Sequence, residues 1–212
     1  MKINEIDCWP DYKKVGTQKG TGKNKGKRVN KCVREDLFGQ DKEVDNSNPE
    51  VYIDMDGVLA DFFTEWAKLV GVSNWRQIRK IEPALEKIRQ TENFWVNLPM
   101  LPEAKTLINF IKDNIGSYSI CSSPLANDPN SEPQKREWIK NNLSFFPPKN
   151  VYITDNKPQF AKGKDGTANI LIDDFGQQIK KWTAAGGQGI KYESFSSVQQ
   201  AIGKVDKPDE NM

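Results

Sequence analysis

The sequence predicts an α/β fold built on a mostly parallel, covered sheet. Three observations carry this expectation. Short apolar runs such as "VYI" (51–53), "SYSIC" (117–121) and "NILI" (169–172) have the length of strands. Apolar stripes at three- and four-residue spacing stand between them. Runs of the two kinds alternate from residue 50 onward, the pattern of parallel strands joined by crossover helices.

Each element has its own signal. "VYIDMD" opens as a strand. In "DFFTEWAKLVG" the residues Phe62, Phe63, Trp66, Leu69 and Val70 share a helical face, and Gly71 is a stop. Residues 72–98 are charged and partly helical, with Trp75, Ile78, Ile81, Leu85 and Ile88 apolar. "LPEAKTLINFIKDNIG" begins with proline and ends with glycine, as helices do. A strand in "SYSICSS", a helix within "SEPQKREWIKNNL" and strands in "NVYIT" and "NILIDDF" follow. A helix "QQIKKWTAAGG", a strand "GIKYES" and a helix "SVQQAIGKV" close the domain at about residue 205. Residues 206–212 read as a tail.

Composition narrows the function. With 212 residues the chain suits one domain, or one domain with an insertion. No apolar run approaches the roughly 18–20 residues that span a bilayer, and the N-terminus lacks the apolar stretch of a secretory signal. A cytoplasmic protein is expected. The three cysteines are an odd, scattered set, which argues against a disulfide framework. Histidine is absent, excluding His-based triads and the commonest zinc sites, so a bound metal should be a hard cation held by oxygen.

Net charge is +2, unevenly spread: +3 over residues 1–48 and −1 over 49–212. Residues 12–34 contain nine basic residues and no acid. With few apolar residues the segment cannot build a core, so residues 1–48 read as a disordered arm. It is either a solvated tail or a tether for nucleic acid or an acidic partner.

The chemistry gathers at strand ends. Asp54 and Asp56 end the first strand, Ser122 and Ser123 the second, and Asp173 and Asp174 the fourth. Asp155 and Lys157 follow the third. In a parallel sheet these four ends share one edge, where ligands bind. Acids from two ends can hold a divalent cation, and a hydroxyl and a lysine can hold a phosphate. Together they form a set suited to phosphoryl transfer.

"DMDGVLADF" resembles the first motif of the haloacid dehalogenase-like (HAD) phosphohydrolases. "ICSSP" resembles their second motif, Lys157 their third and "LIDD" their fourth. The 5′(3′)-deoxyribonucleotidase branch is the nearest resemblance, over roughly residues 50–200. It implies a Rossmann-like core with a small helical cap over 62–98. It implies a phosphomonoesterase for (deoxy)nucleoside monophosphates, with Asp54 as nucleophile and Asp56 as acid and base. Ser122 and Ser123 would bind the phosphoryl group and Lys157 would neutralise it. Mg²⁺ would be held by Asp54, the Asp56 carbonyl, and Asp173 or Asp174. The cap would supply aromatic groups around the base, Phe62 and Trp95 foremost. Lys162 and Lys164 are rival candidates for the third motif. Where that branch carries an arginine two residues before the lysine, this chain has Asp155, a negative group in place of a positive one.

The residues leave other readings open. One is a phosphatase for another ester, such as a polynucleotide 3′ end. Another is a non-catalytic phosphate- or metal-sensing domain, although response-regulator receivers place the acid pair and the phosphorylated aspartate on separate strands. A third is an assembly protein that acts through its basic arm.

Overall fold

The computed structural model describes residues 12–19, 28–34 and 49–202. The chain divides into two units, Met1–Asn46 and Ser47–Met212.

In the first unit, β1 (Tyr12–Lys19) and β2 (Arg28–Arg34) pair as an antiparallel ribbon. The sequence reads as a disordered arm here, and the described residues of that segment are the two strands of this ribbon. A strand ladder satisfies its backbone groups without a core, and Val15, Thr17, Val29 and Val33 have the strand propensity that charge counting overlooks. The remainder of the arm and residues 206–212 lie outside the described residues.

The second unit is a five-stranded, all-parallel sheet with helices. Its strands are β3 (Val51–Ile53), β4 (Ser119–Ser122), β5 (Val151–Ile153), β6 (Ile170–Asp173) and β7 (Gln188–Lys191). They lie in the order β5-β4-β3-β6-β7. Chain order therefore runs outward from β3 to β5, then reverses to β6 on the other flank of β3. That reversal opens a crevice at the carboxyl ends of the central strands. The helices are α1 (Phe62–Val70), α2 (Ile81–Arg89), α3 (Ala104–Asn114), α4 (Ser131–Asn142), α5 (Gly176–Ala184) and α6 (Phe195–Ile202). Every strand and helix anticipated in this region is present.

The strands are continuous apolar runs because both faces of the sheet are covered. Val51, Ile53, Ile120, Ile170 and Ile172 belong to the larger apolar cluster. The alternate residues Tyr52, Cys121 and Leu171 pack on the other face with Ala161 and Trp182. There Tyr52 stacks on Phe160 at 5.6 Å, and the Trp182 indole N–H donates to the Asn169 carbonyl at 3.0 Å. Each fully buried Ile or Leu contributes about 1.5–3 kcal/mol.

The helical cap leaves the core after β3. The Asp61 N–H donates to Pro99 O at 2.8 Å and the Leu101 N–H to Leu59 O at 2.8 Å, so the excursion returns to its own starting point. Asp61 caps α1 by accepting from the Thr64 N–H, and Gly71 ends it at φ 87°, a left-handed conformation that glycine adopts without strain. Residues 75–77 form a single 3-10 turn before α2. The Trp66 indole donates to Ala84 O at 3.1 Å, tying α1 to α2.

Candidate active site

The site sits where β3, β4 and β6 end. Asp54 is buried, and its backbone N–H continues the ladder by donating to Ile172 O at 2.9 Å. Beyond it the chain turns tightly: the N–H groups of Leu59 and Ala60 both donate to Met55 O at 2.9 Å. Gly57 is required in this turn. Its φ is 75°, and a Cβ there would lie 2.6 Å from the Phe63 ring and 2.9 Å from the Asp174 carboxylate.

Two buried lysines organise the acids. Lys157, at the start of a 3-10 turn after β5, lies 3.0 Å from Asp54 Oδ1 and 2.7 Å from Asp173 Oδ2. Asp54 Oδ1 also accepts from the Met55 N–H at 2.8 Å, so that carboxylate is held in one orientation. Burial alone would push the Lys157 ammonium down, but Asp54 and Asp173 more than offset it and hold the group above its ordinary range. Lys162 and Lys164 are both exposed, whereas the buried Lys157 is the one of these three candidates paired with Asp54 and Asp173.

The second lysine, Lys135, projects from α4 and is fully buried. Its ammonium lies 2.5 Å from Asp56 Oδ2, 2.6 Å from the Ser123 carbonyl and 3.4 Å from Ser122 Oγ. It also sits 4.4 Å from the centre of the Trp95 ring, a cation–π contact. Sequence reading missed it. Its signal is positional: Ser131, Lys135, Trp138 and Ile139 share the inward face of α4, so a lysine occupies a core position. A buried lysine at such a place requires an acid partner.

The metal candidates fall into place beside this network. Carboxylate oxygens of Asp54, Asp173 and Asp174 lie within 4.8 Å of one another. Burial, then the charge of Asp54, pushes the Asp173 carboxyl up to about 6. Burial, then Asp54 and Asp173, pushes Asp174 up to about 7. Crowded acids of this kind fit a hard divalent cation, whose charge removes the cost of their proximity. The adjacent acids Asp173, at the end of β6, and Asp174, just beyond it, are not equivalent. Asp173 accepts from Lys157 on Oδ2 and from the Phe175 N–H on Oδ1, whereas Asp174 accepts no hydrogen bond from the described residues. The Asp56 carboxylate stands apart from this trio, facing Lys135. Burial, reinforced by Asp54, pushes it up, and Lys135 opposes.

The remaining candidates are distributed unequally. Ser122 is fully buried with its hydroxyl at Lys135, while Ser123 Oγ is buried and has no partner among the described residues. Asp56 Oδ1 is likewise buried without one. Phe62 and Trp95 stack at 5.4 Å, nearly parallel. Trp95 is 3% exposed and its indole N–H donates to Asp128 Oδ2 at 2.8 Å, so the ring is committed to internal contacts and walls in the lysine. Asp155 is exposed.

No protein-family model matches the chain, and no curated protein matches it. Among solved structures, a hydrolase from Streptococcus pneumoniae TIGR4 is 14% identical, over 74% of this chain and 99% of that one, with a TM-score of 0.49. A HAD-superfamily hydrolase from Ehrlichia chaffeensis is 15% identical, over 76% and 98%, with a TM-score of 0.49. A HAD-superfamily hydrolase from Geobacter sulfurreducens PCA is 12% identical, over 72% and 98%, with a TM-score of 0.46. These are likenesses of chain trace at low identity.

No described helix is long and apolar enough to cross a membrane.

Proposed function

We propose that this domain is a Mg²⁺-dependent phosphohydrolase that acts on phosphomonoesters, with (deoxy)nucleoside monophosphates as its substrate class. One observation carries the reading. A buried carboxylate, Asp54, is pinned by Lys157 on one oxygen and stands within a trio of acids, beside a second carboxylate that has its own lysine. Nothing in core packing asks for two acid–lysine pairs and two further acids at one sheet edge, since buried ion pairs seldom stabilise a fold relative to apolar residues.

Asp54, Asp173 and Asp174 would hold the cation, which would neutralise phosphoryl charge when bound. The residues of the chain do the rest. Asp54 Oδ2, opposite the pinned oxygen, attacks phosphorus and forms an aspartyl-phosphate as the bond to the leaving oxygen breaks. Asp56, whose acidity is weakened by burial, gives its proton to that leaving oxygen. Asp56 then takes a proton from water as the water oxygen attacks phosphorus, which releases phosphate and restores Asp54. Lys157, Lys135 and the unpartnered Ser123 hydroxyl supply positive charge and a donor to the phosphoryl oxygens. The nucleotide assignment rests on the resemblance of "DMDGVLADF", "ICSSP" and "LIDD" to the deoxyribonucleotidase branch.

Phosphate release from deoxynucleoside 5′- and 3′-monophosphates, sugar phosphates and a 3′-phosphorylated oligonucleotide tests the proposal. Mg²⁺-dependent turnover of the mononucleotides, abolished by Asp54→Asn, is expected. Turnover confined to the oligonucleotide would replace the substrate class. Absence of turnover on every ester would overturn the catalytic reading.

A further inference from the structure

The basic ribbon has an asymmetry that the phosphatase chemistry does not use. Directly opposed residues of an antiparallel pair share a face, and successive residues alternate. Strand β2 runs without interruption, so Arg28, Asn30, Cys32 and Arg34 share one face and Val29, Lys31 and Val33 the other. The opposed residues on β1 are Lys19 with Arg28, Thr17 with Asn30, Lys14 with Cys32 and Tyr12 with Arg34. One face therefore collects Lys14, Lys19, Arg28 and Arg34, and the other holds only Lys13 and Lys31.

A bulge creates this segregation. In an unbroken strand Lys14 and Lys19, five residues apart, would fall on opposite faces. The register shift between Lys14 and Gly16 brings them to the same one. It also sets Lys19 opposite Arg28 in the register, two basic residues at one position of the ladder. No acid lies in residues 12–34. A register that gathers basic residues on one face suits an external polyanion.

We propose that this face of the β1–β2 ribbon docks on the phosphate backbone of duplex nucleic acid, without sequence preference. The ribbon form favours a duplex, because a two-stranded β-ribbon fits the B-DNA major groove. Single-strand binding draws on aromatic platforms, and Tyr12 is the only aromatic residue between 12 and 34. Four backbone contacts correspond to a log–log salt slope of about −3.6, or roughly a hundredfold loss of affinity for a fourfold rise in salt.

The test is fluorescence anisotropy of a labelled short duplex DNA with the full chain. Two substituted chains are compared with the parent. One carries Lys14→Gln, Lys19→Gln, Arg28→Gln and Arg34→Gln; the other carries Lys13→Gln and Lys31→Gln. The proposal expects low-salt binding by the parent and at least about a tenfold loss with a flattened salt slope for the first variant. The second should stay within about threefold, and the melting transition of the larger domain should not move in either. Equal losses in both variants would show that total charge, not the face, is read. Failure of the parent to bind, or equal binding to polyglutamate or to phosphatidylserine vesicles, would also overturn the proposal. None of these readouts depends on phosphatase activity.

Discussion

The Lys135 ammonium lies 2.5 Å from Asp56 Oδ2, although the two residues are 79 positions apart. The lysine is fully buried, and one oxygen of its partner carboxylate has no partner among the described residues. Removing the charge from one member strands the other. Lys135→Met is therefore expected to destabilise the domain by about 3 kcal/mol and to slow phosphate release at least about tenfold. A double-mutant cycle with Asp56→Asn, read by chemical denaturation, should show a coupling of about 1–3 kcal/mol. Strictly additive effects would show that the pair does not act as a unit.

Asp54→Asn should keep the fold and lose turnover by about 10⁴-fold or more, since an amide cannot replace the attacking carboxylate. The substitution preserves shape and leaves Oδ1 able to accept from the Met55 N–H and from Lys157. Phosphate release, with near-ultraviolet circular dichroism as a check on packing, decides it. A variant that retains a tenth of the parent rate would remove Asp54 from the role of nucleophile.

The adjacent acids Asp173 and Asp174, at and just beyond the end of β6, should behave differently. Both oxygens of Asp173 are engaged by Lys157 and by the Phe175 N–H, whereas Asp174 is left for a ligand. Asp174→Asn should raise the Mg²⁺ concentration needed for half-maximal activity by about tenfold or more, with little change in melting temperature. Asp173→Asn should lower the melting temperature, because Lys157 loses a buried counter-charge. Mg²⁺ titrations and thermal melts of the two variants in parallel give the answer. The opposite ranking would mean that Asp173 gives up its internal bonds to serve the cation.

Mg²⁺ must compete with protons at this cluster. The Asp173 and Asp174 carboxyls are raised to about 6 and about 7, mainly by burial, with neighbouring carboxylates next. A raised acid is protonated below its pKa, so the cation binds most tightly above about pH 7. Its affinity should fall as pH drops through 7 and then 6. Calorimetric Mg²⁺ titrations at pH 8, 7 and 6 measure this, and each binding event should release protons at the lower values. A pH-independent affinity would place the cation elsewhere.

Much of this molecule was legible in the residues. The strands and helices of the larger unit follow from apolar runs and helical stripes, because each element buries one face or two and the pattern records which. Proline before α3 and glycine after α1 and α3 mark the ends, since their backbone limits act locally. The strand-end acids were legible for a related reason: carboxylates after a buried strand are costly without a purpose. Lys135 was not legible, because a lysine in a charged helix reads as solvated until its acid partner, 79 residues away, is brought to it. The choice of Lys157 over Lys162 and Lys164 needed the burial of one and the exposure of the other two. The ranking of Asp173 against Asp174 needed their hydrogen bonds, since two adjacent acids at a strand end read alike in sequence until their partners are known. The ribbon of residues 12–34 needed its register: the face on which a cation sits depends on one bulge, and composition carries no information about pairing.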